Sequence, residues 1–335
     1  MPPFPPENFE SLPPAGVFVG VFSMDSSSER RMLIRSSWAS HPRSRNGAGD
    51  GDGGAGTSRT VVRFIMGQPR KTWERRVRVE MEGTHVLTFA MYWQPYIGMP
   101  CSFLSTCAEY NDIIILPIAE NMNAGKTYAF FTWAATKAWV PPLYFDTQIP
   151  PPMLSYSNDS SPILTLAQHD PVYAWRDRQS TSFAQDWVRP DFVIKVDDDS
   201  FVMLAELEAR LRVALHDQRT ANVDGHRQDN SSAPVSFPEP GGASPVQPAH
   251  DPLIYWGYLV KRRFMAGEMY GLSWSLVDWV SKEPGVKGLV HGAEDKQTAK
   301  WMRLHPRAAQ VRWVAERCWI YDHPRSGTVC VHFLI

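Results

Sequence analysis

The chain has 335 residues, 43% of them hydrophobic, enough to bury a sizeable core as one large domain or two ordinary ones. Lys and Arg total 34 against 35 for Asp and Glu, and the resulting net charge of −1 provides no global field to hold a polyanion, which argues against nucleic acid as a partner. No apolar run reaches the length of a membrane span, and Met1-Pro2-Pro3-Phe4-Pro5-Pro6 is neither a signal nor a transit peptide, so any membrane anchor is expected outside these residues.

The apolar run Val17 to Phe22, closed by the turn-prone Ser23-Met24-Asp25-Ser26, predicts a buried strand. Glu29 to Trp38 is polar and compatible with a helix, residues 46–56 are Gly-, Asp- and Ala-rich and read as a loop, and Val61 to Met66 predicts a second strand ended by Gly67. Val86 to Phe89 is a weaker strand candidate and Ile113 to Leu116 a strong one. Asn123 to Trp139 predicts a helix with Tyr128, Phe131 and Ala135 on one face. Phe192 to Val196 predicts a buried strand, followed by Leu204, Leu207, Leu211 and Leu215 at helical spacing. Strands alternating with helices in this way predict an α/β fold whose mainly parallel sheet is covered on both faces.

Residues 220–250 are rich in Pro, Ser, Gly, Asn and Gln with few apolar side chains, and are expected to be a disordered insertion. Beyond them come Leu253 to Tyr258, helical patterns over Ser273 to Val280 and Glu294 to Leu304, and closing strands at Val311 to Val314 and Val329 to Phe333. The chain stops on an apolar stretch with no tail, which suggests a fragment. Cys101, Cys107, Cys318 and Cys330 lack CxxC spacing, so a zinc site is not expected; 101–107 and 318–330 are the simplest disulfide pairing in an oxidising compartment.

The segment richest in chemistry is Phe192-Val193-Ile194-Lys195-Val196-Asp197-Asp198-Asp199-Ser200-Phe201-Val202. Its three carboxylates follow the end of a predicted strand, where open α/β sheets bind ligands. An acidic triplet elsewhere reads as a solvated loop. Flanked by apolar residues, adjacent carboxylates repel one another unless a cation compensates, which points to a bound divalent metal, and hard oxygen donors favour Mn²⁺ or Mg²⁺ over zinc.

Several spaced segments together resemble the β-1,3-galactosyltransferase family, which includes β-1,3-N-acetylglucosaminyltransferases and is related to Fringe; the pattern is similar to its fungal-type members. Glu29-Arg30-Arg31-Met32-Leu33-Ile34-Arg35-Ser36-Ser37-Trp38 resembles the family's R-x-x-I-R-x-T-W, with Ser37 in place of Thr. Glu109 to Ile114 resembles E-x-x-D-I, Lys126-Thr127 its helical Lys-Thr, and Phe192 to Val202 resembles F-V-L-K-x-D-D-D-x-F-V. Met265 to Ser273 resembles the acceptor-side segment and Glu294-Asp295 the E-D pair after it. The chain departs from the pattern at Lys296-Gln297-Thr298-Ala299, where the family has V-x-x-G, and at Gly267-Glu268, where it has a more glycine-rich turn.

The resemblance implies a glycosyltransferase A-type fold, Rossmann-like, over residues 16–335 after an extension at 1–15. Within it, 16–218 would be the donor half, 219–250 the insertion and 251–335 the acceptor half. It further implies an inverting, metal-dependent transfer of galactose or N-acetylglucosamine from a UDP-sugar to a glycan hydroxyl in β-1,3 linkage, in the Golgi. Asp199 and His332 are then the expected ligands of Mn²⁺ or Mg²⁺, with His323 as the alternative to His332. Asp197 and Asp198 are expected beside the donor. Asp295 is the expected base, removing the acceptor's proton as the anomeric carbon is attacked, with Glu294 as substitute and helix capping as the other reading of Asp295. Arg31 and Arg35, four apart on one helical face, reach either the donor diphosphate or solvent, and Lys126 either a donor phosphate or solvent. A fold-retaining carbohydrate-binding protein without turnover is the alternative function. A Mg²⁺-dependent phosphohydrolase is a third, for which further acidic motifs are wanting.

Overall fold

Residues 6, 9, 12–41, 44, 56–82, 112–121, 123–141, 188–217, 252–316 and 330–332 are described by a computed structural model. The expected insertion at 219–250, the strand at 86–89, His323, Cys101, Cys107 and Cys318 lie outside the described residues, as does most of the loop at 46–56.

Among the described residues, seven strands form one sheet in the order β3-β2-β1-β4-β7-β6-β8. They are β1 (Val17–Phe22), β2 (Thr60–Gln68), β3 (Ile113–Ala119), β4 (Phe192–Asp197), β6 (Ile254–Val260), β7 (Phe264–Ser273) and β8 (Arg312–Ala315). β5 (Ser200–Val202) pairs separately with β9 (Cys330–His332). β7 alone runs against the other six strands of the large sheet, antiparallel to both β4 and β6. The protein is therefore an α/β fold with a mixed, mostly parallel sheet, compatible with a Rossmann-like arrangement.

Both faces of the sheet are buried, so β1 and β4 are nearly continuous apolar runs instead of alternating ones. Val17, Val19 and Val21 point to one side. There they pack with Ile34 of α1 (Ser28–Ser36), Val77 of α2 (Lys71–Glu82) and Leu204, Leu207 and Leu211 of α4 (Leu204–His216). Phe18 and Phe22 point to the other, against Phe130, Phe131 and Ala134 of α3 (Lys126–Lys137). On that face they are joined by Leu276, Val277 and Val280 of α5 (Trp274–Lys282) and by Ala299, Trp301 and Met302 of α7 (Glu294–Leu304). The short α6 (Pro284–Lys287) connects these last two. Trp38 is 1% exposed, a core residue. Gly20 lets α3 approach, since a Cβ there would lie 2.3 Å from Phe130 Cζ. No helix among the described residues is long and apolar enough to cross a membrane.

The topology decides where a site can form. The chain leaves β1 for β2 and β3 on one side and returns to β4 on the other. Open α/β sheets bind ligands in the crevice beyond the C-terminal ends of strands placed as β1 and β4 are, where the strand order reverses. Phe22, the last residue of β1, is in register with Asp197, the last of β4.

Candidate functional site

β4 carries the apolar Phe192, Val193, Ile194 and Val196 into the core and ends in the turn Asp198-Asp199, which delivers the acidic run to that crevice. β5 follows at once, and its Ser200 is the register partner of His332 in β9. The backbone of His332 thus lies beside the residue after Asp199, although 132 positions separate His332 from Ser200.

The three carboxylates have different surroundings. Asp197 Oδ1 lies 2.7 Å from Lys195 Nζ. Its buried surroundings, opposed by Lys195 and reinforced by Glu294 and Asp199, push the Asp197 carboxyl up to about 6. Asp198 Oδ1 accepts a hydrogen bond of 2.9 Å from Arg30 Nη1, whereas its buried Oδ2 has no hydrogen-bond partner among the described residues. Asp199 Oδ2 lies 3.6 Å from the same Arg30 nitrogen.

Lys195 joins this cluster to the other side of the crevice. Its ammonium, on a side chain 2% exposed, donates to Glu294 Oε1 at 3.0 Å and to the carbonyl of Gly267 and forms an ion pair with Asp197. Burial alone would lower the Lys195 pKa, but Asp197 and Glu294 outweigh it and raise it. Glu294 Oε2 accepts from Tyr270 Oη, which also lies 3.1 Å from Thr298 Oγ1. Glu294 is thereby fixed as an anchor. Asp295 is the freer of the pair: its only hydrogen bond among the described residues is accepted from the backbone N–H of Lys296, at 2.6 Å.

Three residues expected at the donor have partners inside the protein. Arg31, fully buried, donates from Nε and Nη2 to Glu80 at 2.9 and 2.6 Å and from Nη1 to Ser23 Oγ and the Met24 carbonyl. Arg35 grips Asp112 through Nε and Nη2 at 2.8 and 2.7 Å and reaches Glu80 through Nη1. Both forks are engaged inside the protein, tying α1 to α2 and to the entry of β3. Lys126 is buried too. It donates to Glu120 Oε1 at 2.7 Å and to the Ser23 carbonyl at 2.9 Å. Burial lowers its pKa, only partly offset by Glu120.

Arg30, unlike these, carries no signal of its own in the sequence, where it stands directly before Arg31, the first residue of the motif. A one-residue step is 100° around a helix, which turns Arg30 from the buried face toward the crevice. No group of three or more His, Cys, Asp or Glu side chains able to hold a metal forms among the described residues. Asp198 and Asp199 nonetheless fit a hard cation of the kind that takes one or two carboxylates and completes its shell with water or substrate phosphate, and the orphaned Asp198 Oδ2 is a ready donor. No known family model and no curated protein matches this sequence.

Proposed function

We propose that the chain is an inverting glycosyltransferase of the A type, moving galactose or N-acetylglucosamine from a UDP-sugar onto a glycan hydroxyl in β-1,3 linkage. One observation carries this reading: the Asp197–Asp199 run sits at the C-terminal end of β4, beside β1, where the strand order reverses. Asp198 and Asp199 would hold Mn²⁺ or Mg²⁺, joined by His332, whose backbone is paired with Ser200. A divalent cation bound there would offset the charge that develops on the departing diphosphate.

The chain's own residues supply the rest. Lys195 bridges Asp197 at the end of β4 and Glu294 at the start of α7 and orients both. Glu294 is held by Lys195 and Tyr270, which leaves Asp295 to accept the proton of the acceptor hydroxyl. The N-terminus of α7 carries both residues, so the fixed Glu294 also fixes the start of the helix from which Asp295 projects. The decisive test is Asp199→Ala with calorimetric titration of UDP. Mn²⁺-dependent UDP binding should disappear while the melting curve stays close to that of the parent. Equal UDP affinity in both proteins, with and without EDTA, would remove the central claim.

A further inference from the structure

Three arginines lie on α1, and they differ in what their guanidinium forks hold. Arg31 and Arg35 are buried and have their Nε and Nη2 donors on carboxylates. Arg30 is 42% exposed and uses Nη1 alone, at 2.9 Å from Asp198 Oδ1 and 3.6 Å from Asp199 Oδ2. Its Nε and Nη2 make no hydrogen bond among the described residues. The one arginine of this helix with an unused fork therefore rests on the two carboxylates that best suit a cation. A guanidinium fork matches two phosphate oxygens, and a half-exposed side chain can leave a partly solvated ion pair at small cost.

We infer that Arg30 is a donor-binding residue with two positions. Without a metal it lies across Asp198 and Asp199 as their counter-ion, and when a divalent cation takes those carboxylates it turns its fork to the diphosphate of the incoming nucleotide. The inference rests on the transferase reading of the site. It has a signature that a merely structural pair lacks, because removing Arg30 shifts the two ligands in opposite directions. The cation loses a competitor and a like charge. The nucleotide loses a bidentate partner.

The experiment is a pair of titrations on the parent chain, Arg30→Ala and Arg30→Lys, each checked by thermal melting. Mn²⁺ alone should bind Arg30→Ala about two- to fivefold more tightly than the parent, the range set by a partly exposed ion pair. UDP at saturating Mn²⁺ should bind it about tenfold or more weakly, as expected for a lost hydrogen bond to a charged group. Arg30→Lys, which keeps the charge without the fork, should restore the parental Mn²⁺ affinity but not the UDP affinity. Unchanged or weaker Mn²⁺ binding by Arg30→Ala overturns the counter-ion position, and unchanged UDP binding overturns the donor role. If the parent binds Mn²⁺ and UDP normally while either overturning result appears, the transferase reading stands and this inference alone falls. A parent that binds no Mn²⁺ removes both.

Discussion

Glu80→Ala tests whether buried charge pairing holds α1 and α2 on the sheet. Glu80 accepts both hydrogen bonds of the Arg31 fork and a third from Arg35. Arg31 is fully buried, so without Glu80 it keeps its charge in a place water does not reach, whereas Arg35 retains Asp112. Removing one member of a buried pair costs about 3–5 kcal/mol, a large share of the roughly 5–15 kcal/mol that holds a typical domain together. Glu74→Ala on the same helix is the control. Its pair with Arg78 is exposed, 53% and 62% by side chain, and its loss should cost less than about 1 kcal/mol. Urea denaturation at neutral pH, read at constant slope, measures both. Burial raises the Glu80 pKa, but Arg31 and Arg35 outweigh it, and the net shift is below the ordinary 4.5. A carboxyl depressed in the folded state stabilises above its unfolded pKa and ceases to as pH falls through its folded one. The gap between parent and Glu80→Ala should thus be full at pH 7 and narrow below about pH 4.5. A loss no larger than that of Glu74→Ala, or a gap indifferent to acid, would refute the argument.

Asp295→Asn should cut transfer by about 10²–10⁴-fold, the usual range for a general base, with UDP affinity unchanged. Glu294→Gln should instead show itself first in stability, because it leaves the buried Lys195 with one carboxylate fewer; a denaturation midpoint equal to that of Asp295→Asn would contradict this. Gly20→Ala should destabilise the protein by about 1–3 kcal/mol, since the new methyl meets Phe130 at 2.3 and 2.6 Å and Ile65 at 2.9 Å, and an unshifted urea midpoint would show that α3 can retreat freely.

How much of this could be read in advance depends on how local each cause is. β1, β2 and β4 announce themselves as apolar runs because both faces of the central sheet are covered, and α7 begins and ends where its pattern does, at Glu294 and Leu304. α2 gave no signal. Its sequence is mostly charged, and only Val77 and the partly buried Met81, one turn apart, touch the core. β7 carries in its sequence only the acceptor-side resemblance, since Gly267, Glu268 and Gly271 break the apolar pattern of a strand; a Cβ at Gly271 would meet Ile194 of β4 at 2.1 Å. At the site, the Asp197–Asp199 run was legible because its position follows from the strand before it. The partners of Arg31 and Arg35 were not. Glu80 and Asp112 lie 49 and 77 residues away, and helical spacing specifies which residues share a face but not what that face meets.

The seam between β4 and β7 restricts how such a chain can change. Register pairs from Phe192↔Ser273 to Val196↔Met269 join residues on either side of positions 219–250. Lengthening a flexible loop is in general cheap, about 0.6 kcal/mol for each doubling. Parting the seam is not, because it bares the backbone edge of an almost wholly buried strand, a template for pairing with another chain. The two sides cannot be traded as independent modules. New specificity has to enter through what the strands carry at their ends, while the edge that β4 offers and the register that β7 answers are inherited together.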